Sequence, residues 1–167
     1  MKQYKKGFTL IELLVVIAII GILSTLAVVS LGNARTRARD SKRVADIRNT
    51  QTALEIYYTD NIAYPPVTTD AACIPATSLE GCCLDNRAVA TGSTVALGWH
   101  PACDAADRLI TVPNDPRNNA TADEYVYSID GGNNYRIQFN LESGAGDLTG
   151  AGLKCATPAG ISNAPCS

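Results

Sequence analysis

The stretch FTLIELLVVIAIIGILSTLAVVSL, residues 8–31, holds a single charged side chain, Glu12, in 24 positions. As an α-helix rising ~1.5 Å per residue it would extend about 36 Å, more than the ~30 Å of bilayer hydrocarbon, so it spans a membrane rather than lying on one. Ahead of it, MKQYKKG at 1–7 is polar and carries Lys2, Lys5 and Lys6. A secretory signal peptide shares the basic start and the apolar run. Here the run is too long, contains a carboxylate, and is followed by a polar helical pattern instead of an A-x-A cleavage site. Glu12 is the residue that demands an explanation, because an ionised carboxylate costs ~2.5–3.5 kcal/mol at a helix centre on insertion scales, and less near an interface. Snorkelling to the headgroups would relieve it. A cation supplied by another copy in a packed helical bundle would offset it directly.

Downstream, ARTRARDSKRVADIRNTQTALEIYYTD at 34–60 keeps a helical period, with Val44, Ile47, Leu54 and Tyr58 on one stripe and Gln51 as its polar member. One helix is therefore predicted from about Phe8 to about Asp60, ended by Asn61 and by Tyr64-Pro65-Pro66. Gly21, Ser24 and Gly32 are its weakest points. Residues 67–123, rich in Ala, Thr, Pro, Asp and Asn, read as loops tied by disulfides, with brief strand-like pieces such as 108–112. Between 124 and 141 the pattern changes. Tyr125, Tyr127 and Ile129 alternate, DGGNN turns at 130–134, and Tyr135, Ile137, Phe139 and Leu141 alternate again, which predicts a hairpin with one apolar face. That face is the natural partner of the helix stripe, giving an α+β chain with a small antiparallel sheet.

The charge is divided along the chain: residues 1–43 carry eight Lys/Arg against two acids, a net +6, whereas residues 44–167 come to −8. Three cations precede the apolar run and five follow it at Arg35, Arg37, Arg39, Lys42 and Arg43, so charge alone would place the C-terminus in the cytoplasm. The cysteines argue the other way. All six, Cys73, Cys82, Cys83, Cys103, Cys155 and Cys166, lie in the acidic part, where an even number in a small domain implies disulfides and an oxidising compartment. Adjacent Cys82 and Cys83 should each bond elsewhere, to Cys73 and Cys103 in either order, with Cys155 and Cys166 closing the C-terminal loop. A zinc site from Cys82, Cys83, His100 and Cys103 is the alternative, weakened by the lack of a C-x2-C pair. The basic cluster could bind nucleic acid; a solvated face or a partner for the acidic part of another subunit is the plainer reading. His100 has no catalytic company and no nucleophile or phosphate-loop motif is present, so no enzyme is expected. Asp130, Asn133, Asn134 and Asp147 could offer oxygens to calcium without forming an EF-hand. Asn119-Ala120-Thr121 has the form of a glycosylation sequon.

The segment KKGFTLIELLVVIAIIGIL at 5–23 resembles the class III leader and helix start of type IV pilins and of the major pseudopilins of type II secretion, and residues 46–65 resemble the same proteins where the helix closes. The resemblance implies a pilin-like α+β fold with a leader at 1–7, a transmembrane and filament-core half of the helix at 8–31, a polar half at 32–60 and a globular domain at 61–167. It implies cleavage between Gly7 and Phe8 by a prepilin peptidase, N-methylation at Phe8, and pairing of Glu12 with the Phe8 ammonium of a neighbouring subunit. It further implies a single-pass precursor with its C-terminus outside, then an extracellular pilus or a periplasmic pseudopilus built with the assembly machinery. Major pseudopilins of this kind hold calcium near the C-terminus. Many type IV pilins have proline where this chain has Val29, so the helix weakening that proline brings is not encoded at that site. The competing function is a monomeric membrane-anchored extracellular binding module.

Overall fold

The computed structural model describes residues 7–67, 78–91, 94–101, 108–117, 124–130 and 133–166. Its first element is α1, Leu10–Asn61, of 52 residues. The helix ends where the sequence withdraws support: Asn61 Nδ2 donates to the Tyr57 carbonyl at 3.0 Å, and the Ile62 amide donates to the Tyr58 carbonyl at 2.8 Å. Ile62 itself takes a φ of 58°, the left-handed conformation that commonly follows a helix, and the prolines come next.

The chain divides into two compact units, Met1–Thr36 and Arg37–Ser167. In the first, the large apolar side chains from Phe8 to Leu31 are all exposed, from 45% at Val16 to 79% at Phe8. Among the described residues this part of the helix buries against no core, and it is long and apolar enough to cross a membrane.

The second unit is where burial occurs. Among the described residues nine strands follow α1: β1 Cys83–Thr91, β2 Thr94–His100, β3 Arg108–Thr111, β4 Val126–Ile129, β5 Tyr135–Leu141, β6 Gly144–Ala145, β7 Leu148–Thr149, β8 Gly152–Thr157 and β9 Gly160–Ser162. They form a sheet ordered β2-β1-β3, a sheet ordered β4-β5-β8-β9 and a two-stranded β6-β7 hairpin, with every pairing antiparallel. The alternation of β5 is strict: Tyr135, Ile137, Phe139 and Leu141 are buried and the residues between them are half-buried. With Tyr125 and Tyr127 they meet Val44, Ile47, Ala53, Leu54 and Tyr57 of α1 in one core, which also takes in Leu84 and Trp99 from the first sheet.

Three expectations change. The helix stripe closes on Tyr57, which is buried, while Tyr58 is half-buried and stacks on Tyr64 at a ring separation of 4.7 Å. Residues 83–100 form a hairpin instead of a loop, because Leu84 and Trp99 reach the core and β3 pairs along its open side. The small sheet predicted from one hairpin is extended by β8 and β9, with Cys155 bonded to Cys166 next to that edge at a Cα separation of 4.9 Å.

Candidate functional site

Among the described residues, two clusters of charged groups stand out by their environment. The first opens α1. The Thr9 amide donates to Glu12 Oε2 at 2.9 Å, the Thr9 hydroxyl donates to the same oxygen at 2.7 Å, and the Glu12 amide donates to Thr9 Oγ1 at 3.3 Å. This reciprocal pair is a capping box, with Thr9 as the cap and Glu12 three residues in, and it satisfies amides that the first helical turn leaves without partners. Glu12 is thus anchored by its own helix, yet no cation of the described chain reaches it. Gly7 and Phe8 precede the cap, both exposed, and a side chain added at Gly7 would meet nothing within 4 Å. The backbone between them is open to approach.

Thr9 is a site residue that the apolar run hides. The signal was available, since Ser or Thr three residues before an acidic residue at the head of an apolar run has the form of a capping box.

The second place lies within Arg37–Ser167, where Arg43 is fully buried. Its Nε and Nη2 donate to the two oxygens of Asp115 at 2.5 and 2.9 Å, and its Nη1 donates to Asp40 and to Glu142, each at 2.8 Å. Asp40, also buried, accepts from the amides of Glu142, Ser143 and Gly144 at 2.9, 2.7 and 3.0 Å and from the Ser143 hydroxyl at 2.9 Å. Arg39 completes the set, donating to Glu142 at 2.8 and 2.6 Å. Burial alone would raise the Asp40 carboxyl, but those amides and the hydroxyl outweigh it and hold it below the usual range. Hydrogen bonds from Arg39, opposed by burial and joined by Arg43, hold Glu142 down at about 2. Arg43 has its own pKa raised: its acids outweigh the burial that opposes its charge.

The network divides the basic cluster. Arg39 and Arg43 are committed to acids of their own unit, so they are not a solvated face. Arg35, Arg37 and Lys42 remain exposed. A nucleic-acid surface built on all five cations is not what the fold presents.

The remaining candidates fall as follows. Cys82 and Cys83 are disulfide-bonded, which removes the thiolates that a zinc site with His100 would use. Their proposed partners Cys73 and Cys103 lie outside the described residues, as does the 119–121 sequon. His100 is buried at the end of β2, opposite Cys83. Asp130, Asn133 and Asn134 flank the β4–β5 turn, where Asp130 pairs with Arg136 and its amide donates to the Asn134 carbonyl, whereas Asp147 sits in the β6–β7 turn. Among the described residues no three His, Cys, Asp or Glu side chains gather closely enough to hold a metal ion.

Comparison with known proteins finds a family model that covers the helix start. The family model described as the prokaryotic N-terminal methylation motif matches residues 2–28. The type II secretion system core protein G of Klebsiella michiganensis is 44% identical over 64 residues, which is 38% of this chain and 45% of that protein. Its counterpart in Vibrio cholerae is 43% identical over 72 residues, 42% of this chain and 48% of that one. The type IV major pilin protein PilE1 of Neisseria gonorrhoeae is 32% identical over 96 residues, 58% of this chain and 45% of that protein. The chain thus spans a little under half the length of these relatives. No solved structure matches it.

Proposed function

We propose that this chain is a structural, non-enzymatic subunit of a type IV pilus or a type II secretion pseudopilus. Its polar leader is removed between Gly7 and Phe8 by a prepilin peptidase, the new amino terminus at Phe8 is N-methylated, and the helix passes from the membrane into a filament. The observation that carries this reading is the helix start itself. A capping box fixes one carboxylate, Glu12, at the head of an apolar run whose large side chains are exposed throughout. Such a surface is stable only in lipid or against other copies.

In the filament, Glu12 pairs with the Phe8 ammonium of a neighbouring subunit. Two opposite charges in an apolar surrounding offset each other, and removing one strands the other at a cost of roughly 3–5 kcal/mol. The matches to the methylation motif and to core protein G support the reading as a pilus or pseudopilus subunit. The disulfides favour placing Arg37–Ser167 on the outer side of the membrane, against the count of basic residues flanking the span.

Mass spectrometry of the purified protein, joined to electron microscopy of sheared surface material, tests the proposal. A mature chain beginning at methyl-Phe8 and present in filaments is the expected result. An intact Met1 terminus on copies that never leave the membrane would mean an anchored monomeric binding module instead. In a Gly7→Val variant, insertion should persist while the precursor accumulates unprocessed, because a branched side chain then occupies the backbone that the peptidase must approach. Accumulation of processed protein would place the cleavage elsewhere.

A further inference from the structure

Lys154 carries a charge that neither the helix start nor the Arg43 network uses. It lies opposite Phe139 in the β5–β8 register, and residues directly opposite share a face of the sheet, so the lysine stem runs along the core side and the residue is only 3% exposed. A buried ammonium needs a partner. Its Nζ donates to the Thr149 carbonyl at 2.9 Å, in the β6–β7 hairpin. Asn163 holds the same hairpin: its Oδ1 accepts from the Thr149 amide at 2.9 Å, and its Nδ2 donates to the Asp147 carbonyl at 3.4 Å. The Cys155–Cys166 bond keeps the segment that carries Asn163 beside β8. In residues 144–150 Leu148 is buried and the others are half-buried or exposed, so side-chain packing holds little of this segment.

The resemblance to major pseudopilins implies calcium near the C-terminus, and of the four oxygen candidates Asp147 lies in this hairpin. The residues present do not fit the ion. Calcium gathers carboxylate and carbonyl oxygens. Here an ammonium takes the Thr149 carbonyl and a carboxamide takes the Asp147 carbonyl. A dication drawn to the Thr149 carbonyl would meet a like charge at hydrogen-bond distance from the same oxygen. The other three candidates belong to the β4–β5 turn, where Arg136 already pairs with Asp130.

We propose that Lys154 is the built-in cation of the β6–β7 hairpin, gathering its backbone in place of calcium, so that Arg37–Ser167 folds and keeps its stability without the ion. The charge is tethered to β8, between β5 and β9, and the hairpin is therefore secured as that strand joins the sheet. This holds for a filament subunit and for an anchored module alike.

The test uses the full oxidised chain in detergent, melted in excess EGTA and again in millimolar calcium, with hydrogen–deuterium exchange followed at residues 144–150. The two melts should coincide, and exchange in the hairpin should be the same in both. A rise in Tm with calcium that EGTA reverses, or slower exchange at 144–150 in calcium, would overturn the proposal. Lys154→Met keeps the apolar stem and removes the ammonium. In that variant exchange at 144–150 should quicken about tenfold under folding conditions, with a lower Tm. Unchanged exchange there would mean that the ammonium does not hold the hairpin. The paired melts of the parent chain decide the calcium question even if the variant does not fold.

Discussion

At the scale of single residues, Arg43 shows how far a side chain's role can depart from its local pattern. Within the run of basic residues from 35 to 43 it looks like one more solvated cation, since periodicity reports which face a residue occupies and not which acids fold back onto it. Asp115 and Glu142, 72 and 99 positions away, decide the matter. Arg43→Ala would leave Asp40 and Asp115 buried without their cation and should destabilise the folded unit by about 3–5 kcal/mol, read from denaturant unfolding of the full chain in detergent. Arg43→Lys should fall between, because an ammonium cannot span both Asp115 oxygens. The same network sets an acid limit. Glu142 is held down at about 2, so its contribution is complete above the ordinary carboxylate range and is lost as pH falls through about 2. Asp46 runs the other way: burial raises its pKa, opposed by Lys42 and by the Tyr125 hydroxyl, so its share is present at low pH and lost as pH rises through the raised value. Asp46→Asn should therefore raise the Tm at neutral pH and change it little at pH 3, measured by thermal melts at the two values.

Among the elements, the helix and the β4–β5 hairpin were legible because each repeats its period several times: Val44, Ile47 and Leu54 on one side, and Tyr135, Ile137, Phe139 and Leu141 on the other, are all buried as the spacing demands. The β1–β2 hairpin was not. Its strands read CLDNRAVAT and TVALGWH, too polar or too mixed to alternate, and they hold together through β3 and through the burial of Leu84 and Trp99, which are contacts at long sequence range. The strands after Leu141 are short and glycine-rich for a backbone reason. Gly144 has a φ of 108°, and an added Cβ would lie 2.5 Å from the Leu148 carbonyl oxygen, where only glycine fits. Gly144→Ala should lower stability by roughly 1–3 kcal/mol, and by more if it also pulls the Gly144 amide off Asp40. Ile62, at the helix end, is the converse. A β-branched residue, 77% exposed, holds the left-handed conformation that glycine or asparagine adopts with less strain. Ile62→Asn should stabilise the protein by up to about 1 kcal/mol, seen as a higher midpoint with an unchanged denaturant slope.

For the whole molecule, the division at Thr36 and Arg37 separates two kinds of stability. Arg37–Ser167 buries its own core and closes its C-terminus with the Cys155–Cys166 bond, whereas the large apolar side chains from Phe8 to Leu31 are all exposed and need an apolar surrounding. Changes in one part should then leave the other's measurement alone. Glu12→Ala is the sharpest case, because the substitution removes the capping-box acceptor and the proposed partner of the Phe8 ammonium together. Loss of the cap frays a single turn, worth about 1 kcal/mol at most, and an apolar residue inserts into lipid more readily than a carboxylate. The variant should insert, be cleaved after Gly7 and give the same melting curve for Arg37–Ser167 as the parent, yet enter sheared filaments at a small fraction of the parental yield. Thr9→Val separates the two roles, since it removes the hydroxyl bonds to Glu12 and keeps the carboxylate. If filaments form normally with Glu12→Ala, the charge pairing is wrong even though the helix still spans the membrane. If Thr9→Val and Glu12→Ala impair assembly equally, the cap rather than the carboxylate's charge is what the neighbouring subunit requires.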